Sequence, residues 1–170
     1  MRTIILILFL VPSVSFSQTQ NVFIKLTDAK GTQINGDATT RGFERWMKAS
    51  TITPAGRNNI QLNFTMNIAV SSAELKKAMA NGELLLNGEV NVMQPGNDGI
   101  PQPAYTIKME KIIVLACTET MGCNNNMTTS VSLQATRIGW TYYAKGKTEI
   151  MVVSNKYGYD AETSKEWTNF

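Results

Sequence analysis

The 170-residue sequence contains no histidine. That removes the commonest general base, the commonest protein metal ligand and every Ser-His or Cys-His nucleophile pair. Cysteine is scarce too, with Cys117 and Cys123 the only two. A soft-metal site would need two further ligands of that kind nearby, and the spacing is not the C-x-x-C of a redox pair. There is no glycine-rich phosphate-cradling motif and no run of basic residues. Against 13 acidic residues stand 16 basic ones, a formal net charge of +3, and the lysines and arginines are scattered. Such a surface offers little to nucleic acid or anionic lipid. The acidic residues do not single out a facing pair of the glycosidase kind, so solvated surface charge is the expected state of most of them. No cofactor, no metal and no enzymatic activity are expected.

What is present begins at the N-terminus. Arg2, the apolar run Ile4 to Val11, Pro12, and the small residues Ser15 and Ser17 stand in the order of a secretory signal peptide. The run is too short for a membrane span, which takes roughly 20 residues. The sequence therefore predicts a signal over residues 1–17, export to the periplasm or beyond, and one domain over residues 18–170. In an exported chain the lone pair Cys117 and Cys123 reads as a disulfide at a hairpin tip. Closing so short a loop would stabilise the fold by ~2.4 kcal/mol in the chain-entropy treatment.

Most of the remaining chain alternates with period two. Leu62, Phe64, Met66, Ile68 and Val70 fall on one face of a strand from Gln61 to Val70. Glu83 to Met93 repeats the pattern through Leu84, Leu86, Val90 and Val92. Tyr105, Ile107 and Met109 alternate before a continuous apolar run, Ile112 to Leu115, which suggests burial on both faces. Val131, Leu133 and Ala135 alternate, then the phase slips near Thr136 and Arg137, predicting a β-bulge. Shorter strands are expected at Val22 to Leu26, Phe43 to Thr51 and Thr148 to Val153. One segment departs from the pattern: Ser71 as N-cap with Glu74 three positions on, Leu75, Ala78 and Met79 on one face, and Asn81-Gly82 as a stop predict a single helix. Thr53 to Asn59 carries Pro54 and Gly56 and reads as a turn, and Pro95 to Pro103 as an irregular loop. From Asn155 onward, Tyr157, Tyr159, Trp167 and Phe170 stand in polar sequence without period, as in a segment packed along a sheet or docked on a neighbour.

The order of these segments resembles the haemolysin-coregulated protein (Hcp) family of type VI secretion tube subunits. The likeness begins with Val22-Phe23-Ile24-Lys25-Leu26 and Asp28-Ala29-Lys30-Gly31, runs through the helix and the long hairpin Tyr105 to Tyr143, and closes with Lys156-Tyr157-Gly158-Tyr159-Asp160. It implies a mainly β fold, a curled six- to seven-stranded β-barrel with one short flanking helix. It also implies a non-enzymatic subunit that assembles with itself into a ring, usually a hexamer, able to stack into a tube and to meet secretion-machinery or effector proteins. The family's long loop between its second and third strands matches Thr51 to Asn59 here, where it is shorter. The expected subunit contacts are Thr53, Pro54, Ala55, Gly56 and Arg57, with Tyr157 and Tyr159. The signal peptide departs from tube subunits that assemble in the cytoplasm, so an exported relative is implied. A monomeric secreted β-barrel binding module is the alternative.

Overall fold

The computed structural model describes residues 21–55, 60–96, 100–121, 126–146 and 150–170. The expected signal segment, Gly56, Arg57 and Cys123 lie outside the described residues. The elements are β1 (Asn21–Thr27), β2 (Met47–Ala55), β3 (Ile60–Asn67), α1 (Val70–Asn81), β4 (Leu84–Pro95), β5 (Pro101–Met121), β6 (Met127–Lys145), β7 (Met151–Asp160) and β8 (Lys165–Glu166). They form one antiparallel sheet in the order β3-β2-β1-β4-β5-β6-β7-β8, and a further pairing of β3 with β6 rolls it shut. Six strands thus close a barrel, from which β7 and β8 extend as a wing. Closure removes the unpaired edges that invite aggregation.

The core follows the predicted alternation in most strands. Val22, Ile24 and Leu26 of β1, Leu62, Phe64 and Met66 of β3, and Val131, Leu133 and Ala135 of β6 are all buried in one cluster. Phe23 points the other way and stacks on Phe43, with ring centroids 4.3 Å apart, beneath a loop that also brings Ala38, Met93 and Trp46 together.

A single line of phase change crosses the sheet. In β4 the buried residues pass from Leu85 to Val90, in β5 from Met109 to Ile112, and in β6 from Ala135 to Ile138. The predicted slip at Thr136 and Arg137 is therefore present, but it is not a one-sided bulge. β5 slips with β6, keeping Glu110 opposite Arg137 and Ile112 opposite Ala135. Lys111 adopts φ 52° there, and the Thr136 hydroxyl donates to the Lys111 carbonyl at 3.3 Å. Two strands kink together, so neither loses its partner. On its other edge β6 changes neighbour at the same place, from β3 (Thr128–Ala135) to β7 (Arg137–Lys145).

Several expectations are corrected by this geometry. Leu84 and Leu86 were expected inside; Leu85 is the buried residue, because the slip past Gly88 reverses the phase at that end of β4. Ile112 and Val114 are buried but Ile113 and Leu115 are exposed, so that run is covered on one face only. β2 is displaced from Phe43–Thr51 to Met47–Ala55, and Thr51, Thr53 and Pro54 belong to it, opposite Thr65, Asn63 and Leu62. Pro101 and Pro103 belong to β5, paired with β4 but beyond the point where β6 ceases to pair, an edge position of the kind where sheets admit proline. β7 continues to Asp160, so Tyr157 and Tyr159 are strand residues.

β3 stops at Asn67, leaving Ile68 and Val70 exposed, and α1 starts at Val70, its N-cap two residues before the expected one. Ala69 is the N-cap, and its N–H donates to Ser72 Oγ at 3.2 Å. Ser71 and Ser72 are buried, with Ser72 Oγ also 2.9 Å from Thr129 Oγ1. Glu74 takes no part in the cap; the serines face the barrel mouth instead. At the other end Gly82 adopts φ 59°, the left-handed cap its sequence predicts, and its N–H and that of Glu83 satisfy the last carbonyls. Leu75 and Ala78 enter the core, so α1 plugs one end of the barrel.

Candidate functional site

No group of three or more His, Cys, Asp or Glu side chains gathers among the described residues. Two carboxylates meet at Arg137, whose Nε donates to Asp160 Oδ2 at 2.8 Å and whose Nη1 donates to Glu110 Oε2 at 3.1 Å. Burial alone would push the Asp160 carboxyl up. The Arg137 bond and the N–H groups of Thr163 and Glu162 reverse this and hold it below the ordinary range. Held ionised in this way, the carboxylate is a weak base and carries no proton to donate at neutral pH. This cluster clamps the end of β7 to β5 and β6.

Cys117 carries a free thiol, buried, with Sγ 3.9 Å from the Ser72 carbonyl oxygen. The expected bridge to Cys123 is thus not made by this side chain. Cys117 lies opposite Val131 and faces the core, and four further residues run in the ladder to Met121 opposite Met127. Burial, chiefly, raises its pKa, with Lys76 acting against and Glu119 with the rise. It stays protonated and weakly nucleophilic.

The chemistry left on the surface is that of contact. Leu84 faces Ile113 across the β4–β5 ladder, and these two with Leu86 and Leu115 form an apolar stripe on the outside of the barrel, each 40 to 43% exposed. Large apolar side chains grouped this way mark interaction surfaces. Sequence reading missed the stripe, because the same period-two signal fits either face once the phase slips.

The expected contact residues separate. Thr53 and Pro54 are exposed near the end of the β2–β3 hairpin, and Ala55 ends β2 opposite Gln61. That end meets β6 at Ala135. Tyr159 and Asp160 meet it at Ile138 and Arg137, so the hairpin end and the end of β7 follow one another along a single edge of β6. Tyr159 is partly buried against the core, whereas Tyr157 is 53% exposed and stacks on Trp140 with centroids 5.9 Å apart. Tyr105 and Tyr142 make the adjoining aromatic pair at 5.7 Å. Burial, chiefly, and then Tyr142 raise the pKa of Tyr105, so this phenol stays neutral in the aromatic ledge.

The opposite face of the wing holds a second feature. Reading across the strands, Lys25, Glu89, Lys108, Gly139 and Gly158 stand in one cross-strand row. Two adjacent glycines leave a notch, and the Phe170 ring fills it. A groove of about 460 Å³ runs beside that ring over Lys25, Glu89, Lys108 and Glu110. A glycine inside a strand signals close approach of another group, and both glycines carried that signal in the sequence.

The family model described as "Type VI secretion system effector, Hcp" matches residues 23–142. No curated protein matches the sequence at a significant level. Among solved structures the fold is similar to Hcp1 from Salmonella typhimurium, with 18% identity, TM-score 0.74, and 88% of this chain and 99% of that one covered. It is similar also to the secreted protein Hcp3 from Pseudomonas aeruginosa, at 18% identity, TM-score 0.68, and 83% and 97% covered. For Hcp1 from the E. coli EAEC 042 pathovar the values are 22%, 0.65, and 79% and 97%.

Proposed function

Because the chain belongs to the Hcp family of type VI secretion system effectors, we propose that it is a structural tube subunit which assembles with copies of itself and does no chemistry of its own. The observation that carries this reading is the apolar stripe Leu84, Leu86, Ile113 and Leu115 on the outside of a barrel whose own core is already full. A closed barrel has no further strand with which to cover these side chains, and a second copy can. Two further surfaces suit the same reading: the exposed Thr53 and Pro54 of β2, and Tyr157 with its aromatic neighbours.

The finer form of the proposal is a closed ring of six copies, a symmetric assembly in which every copy uses the same two surfaces. The segment 1–17 would direct the chain out of the cytoplasm as a signal peptide, leaving residues 18–170 as one domain. Among the described residues no helix is long and apolar enough to cross a membrane. Light scattering and sedimentation of residues 18–170 test the assembly, and the expected mass is a multiple of the monomer. A strictly monomeric species at micromolar concentration would overturn it. The groove beside Phe170 favours the second reading, a monomeric binding module; that reading expects a monomer whose Trp167 fluorescence responds to a ligand.

A further inference from the structure

The segment Lys165 to Phe170 is held by contacts to β6 and β7. Trp167 N–H donates to the Gly158 carbonyl at 3.0 Å, and Lys165 and Glu166 pair with Asp160 and Tyr159. Lys156 Nζ bonds the Phe170 main-chain oxygen at 2.6 Å and the Thr168 carbonyl at 3.4 Å, and it stands 4.1 Å from the centre of the Phe170 ring. The ring sits in the notch at Gly139 and Gly158, and Trp167 packs on it at 4.9 Å. The notch itself is formed by two paired strands, so its shape does not depend on the segment that fills it.

We propose that this segment exchanges between copies of the chain, the Gly139–Gly158 notch and Lys156 of one copy receiving Phe170 of the next. Three observations converge on it. The link from Asp160 is a short turn in which Ser164 adopts φ 55°, a left-handed conformation that a non-glycine residue holds only under strain. Opening the turn relieves that strain, and short strained hinges favour exchange. Once released, Trp167 and Phe170 are apolar rings in water, and another copy presents the same notch and lysine. The contacts made within one copy and between two are then identical. What remains is hinge strain against two costs: the Glu162 and Thr163 N–H bonds to Asp160 that opening gives up, and the entropy of association. That entropy cost falls when copies are already adjacent, because the local concentration of notch is high. The inference therefore rests on the self-assembling subunit of the proposed function. It adds that neighbours are joined by a traded aromatic segment.

Two variants separate donor from acceptor. Gly158→Ala places a methyl group into the Trp167 carbonyl and the Phe170 ring, while Gly158 itself has no positive φ, so strand β7 tolerates the change. This chain offers a segment but no notch. Deleting residues 165–170 leaves a notch but no segment. Each alone is expected to keep the parent's β-sheet circular dichroism, and the Gly158→Ala variant to show red-shifted Trp167 emission. Equimolar mixing is expected to return the emission toward the parent's and to pull a tagged copy of one variant down with the other. Unchanged emission and no co-purification, with both variants folded, would overturn exchange even where each still forms assemblies, which keeps its failure distinct from failure of the ring. Should either variant not fold, Phe170→4-azidophenylalanine in mixed light- and heavy-nitrogen chains gives a second reading. Photo-crosslinks joining light to heavy chains at the notch support exchange; crosslinks within one isotope only reject it.

Discussion

At the level of single residues, Asp160 carries the most electrostatic consequence. It ends β7, accepts from Arg137 and from two backbone N–H groups, and sits almost out of contact with water. A carboxyl whose pKa is lowered on folding adds stability that is fully present above its unfolded value. That stability is lost as pH falls through the ordinary carboxylate range toward the lower folded value. Acid should therefore loosen the end of β7 while Arg137, held charged by Asp160 and Glu110, keeps its proton. The Asp160→Asn variant is expected to melt several degrees lower at neutral pH, with a flatter loss of melting temperature between neutral pH and pH 3. Calorimetry across that range checks it, and a slope equal to the parent's would remove Asp160 from the account. The sequence marked Asp160 as the end of a family-like motif, yet Arg137 and Glu110 were legible only as surface charges. Their meeting depends on register across β5, β6 and β7, which no local pattern encodes.

At the level of elements, α1 is the clearest case of tertiary structure overriding a local signal. The sequence Ser71-Ser72-Ala73-Glu74 reads as a capping box, but both serines are buried and the helix begins at Val70. The Ser72 hydroxyl serves the Ala69 N–H and Thr129 at once, which ties the helix start to β6. Ser72→Ala leaves those partners without their bond and should cost about 1–3 kcal/mol. Leu75 is fully buried, and Leu75→Ala should cost about 2–5 kcal/mol. Urea denaturation measures both, and an effect below half of the lower bound for Leu75 would mean that the helix does not seal the barrel. The paired kink through Leu85, Lys111 and Thr136 belongs to this scale too. A slip visible in β6 alone predicts a bulge; the matching slip in β5 becomes apparent only once Glu110 is seen opposite Arg137.

At the level of the whole molecule, the order of strands and their closure decide which apolar residues are inside. Leu84, Leu86, Ile113 and Leu115 are as hydrophobic as their buried neighbours, and the curl of the sheet leaves them outside. If the stripe joins subunits, the double substitution Leu86→Glu and Leu115→Glu should leave monomer stability within about 1 kcal/mol, since surface changes away from packed features cost little. The assembled species should give way to monomer in sedimentation. Unaltered assembly would move the interface elsewhere, to the hairpin end or the aromatic ledge.

By itself the sequence determined the mainly β class, the long β5–β6 hairpin, the single helix with its glycine stop and the family, because period-two alternation, capping residues and segment order are local and survive without coordinates. Tertiary structure alone decided where phase reverses, which leucines face water, that Cys117 turns inward, and that Phe170 enters a notch made by two glycines from different strands. Each of those outcomes depends on cross-strand register and on closure of the barrel. Register is a relation between residues distant in sequence, fixed only when all the strands pack at once.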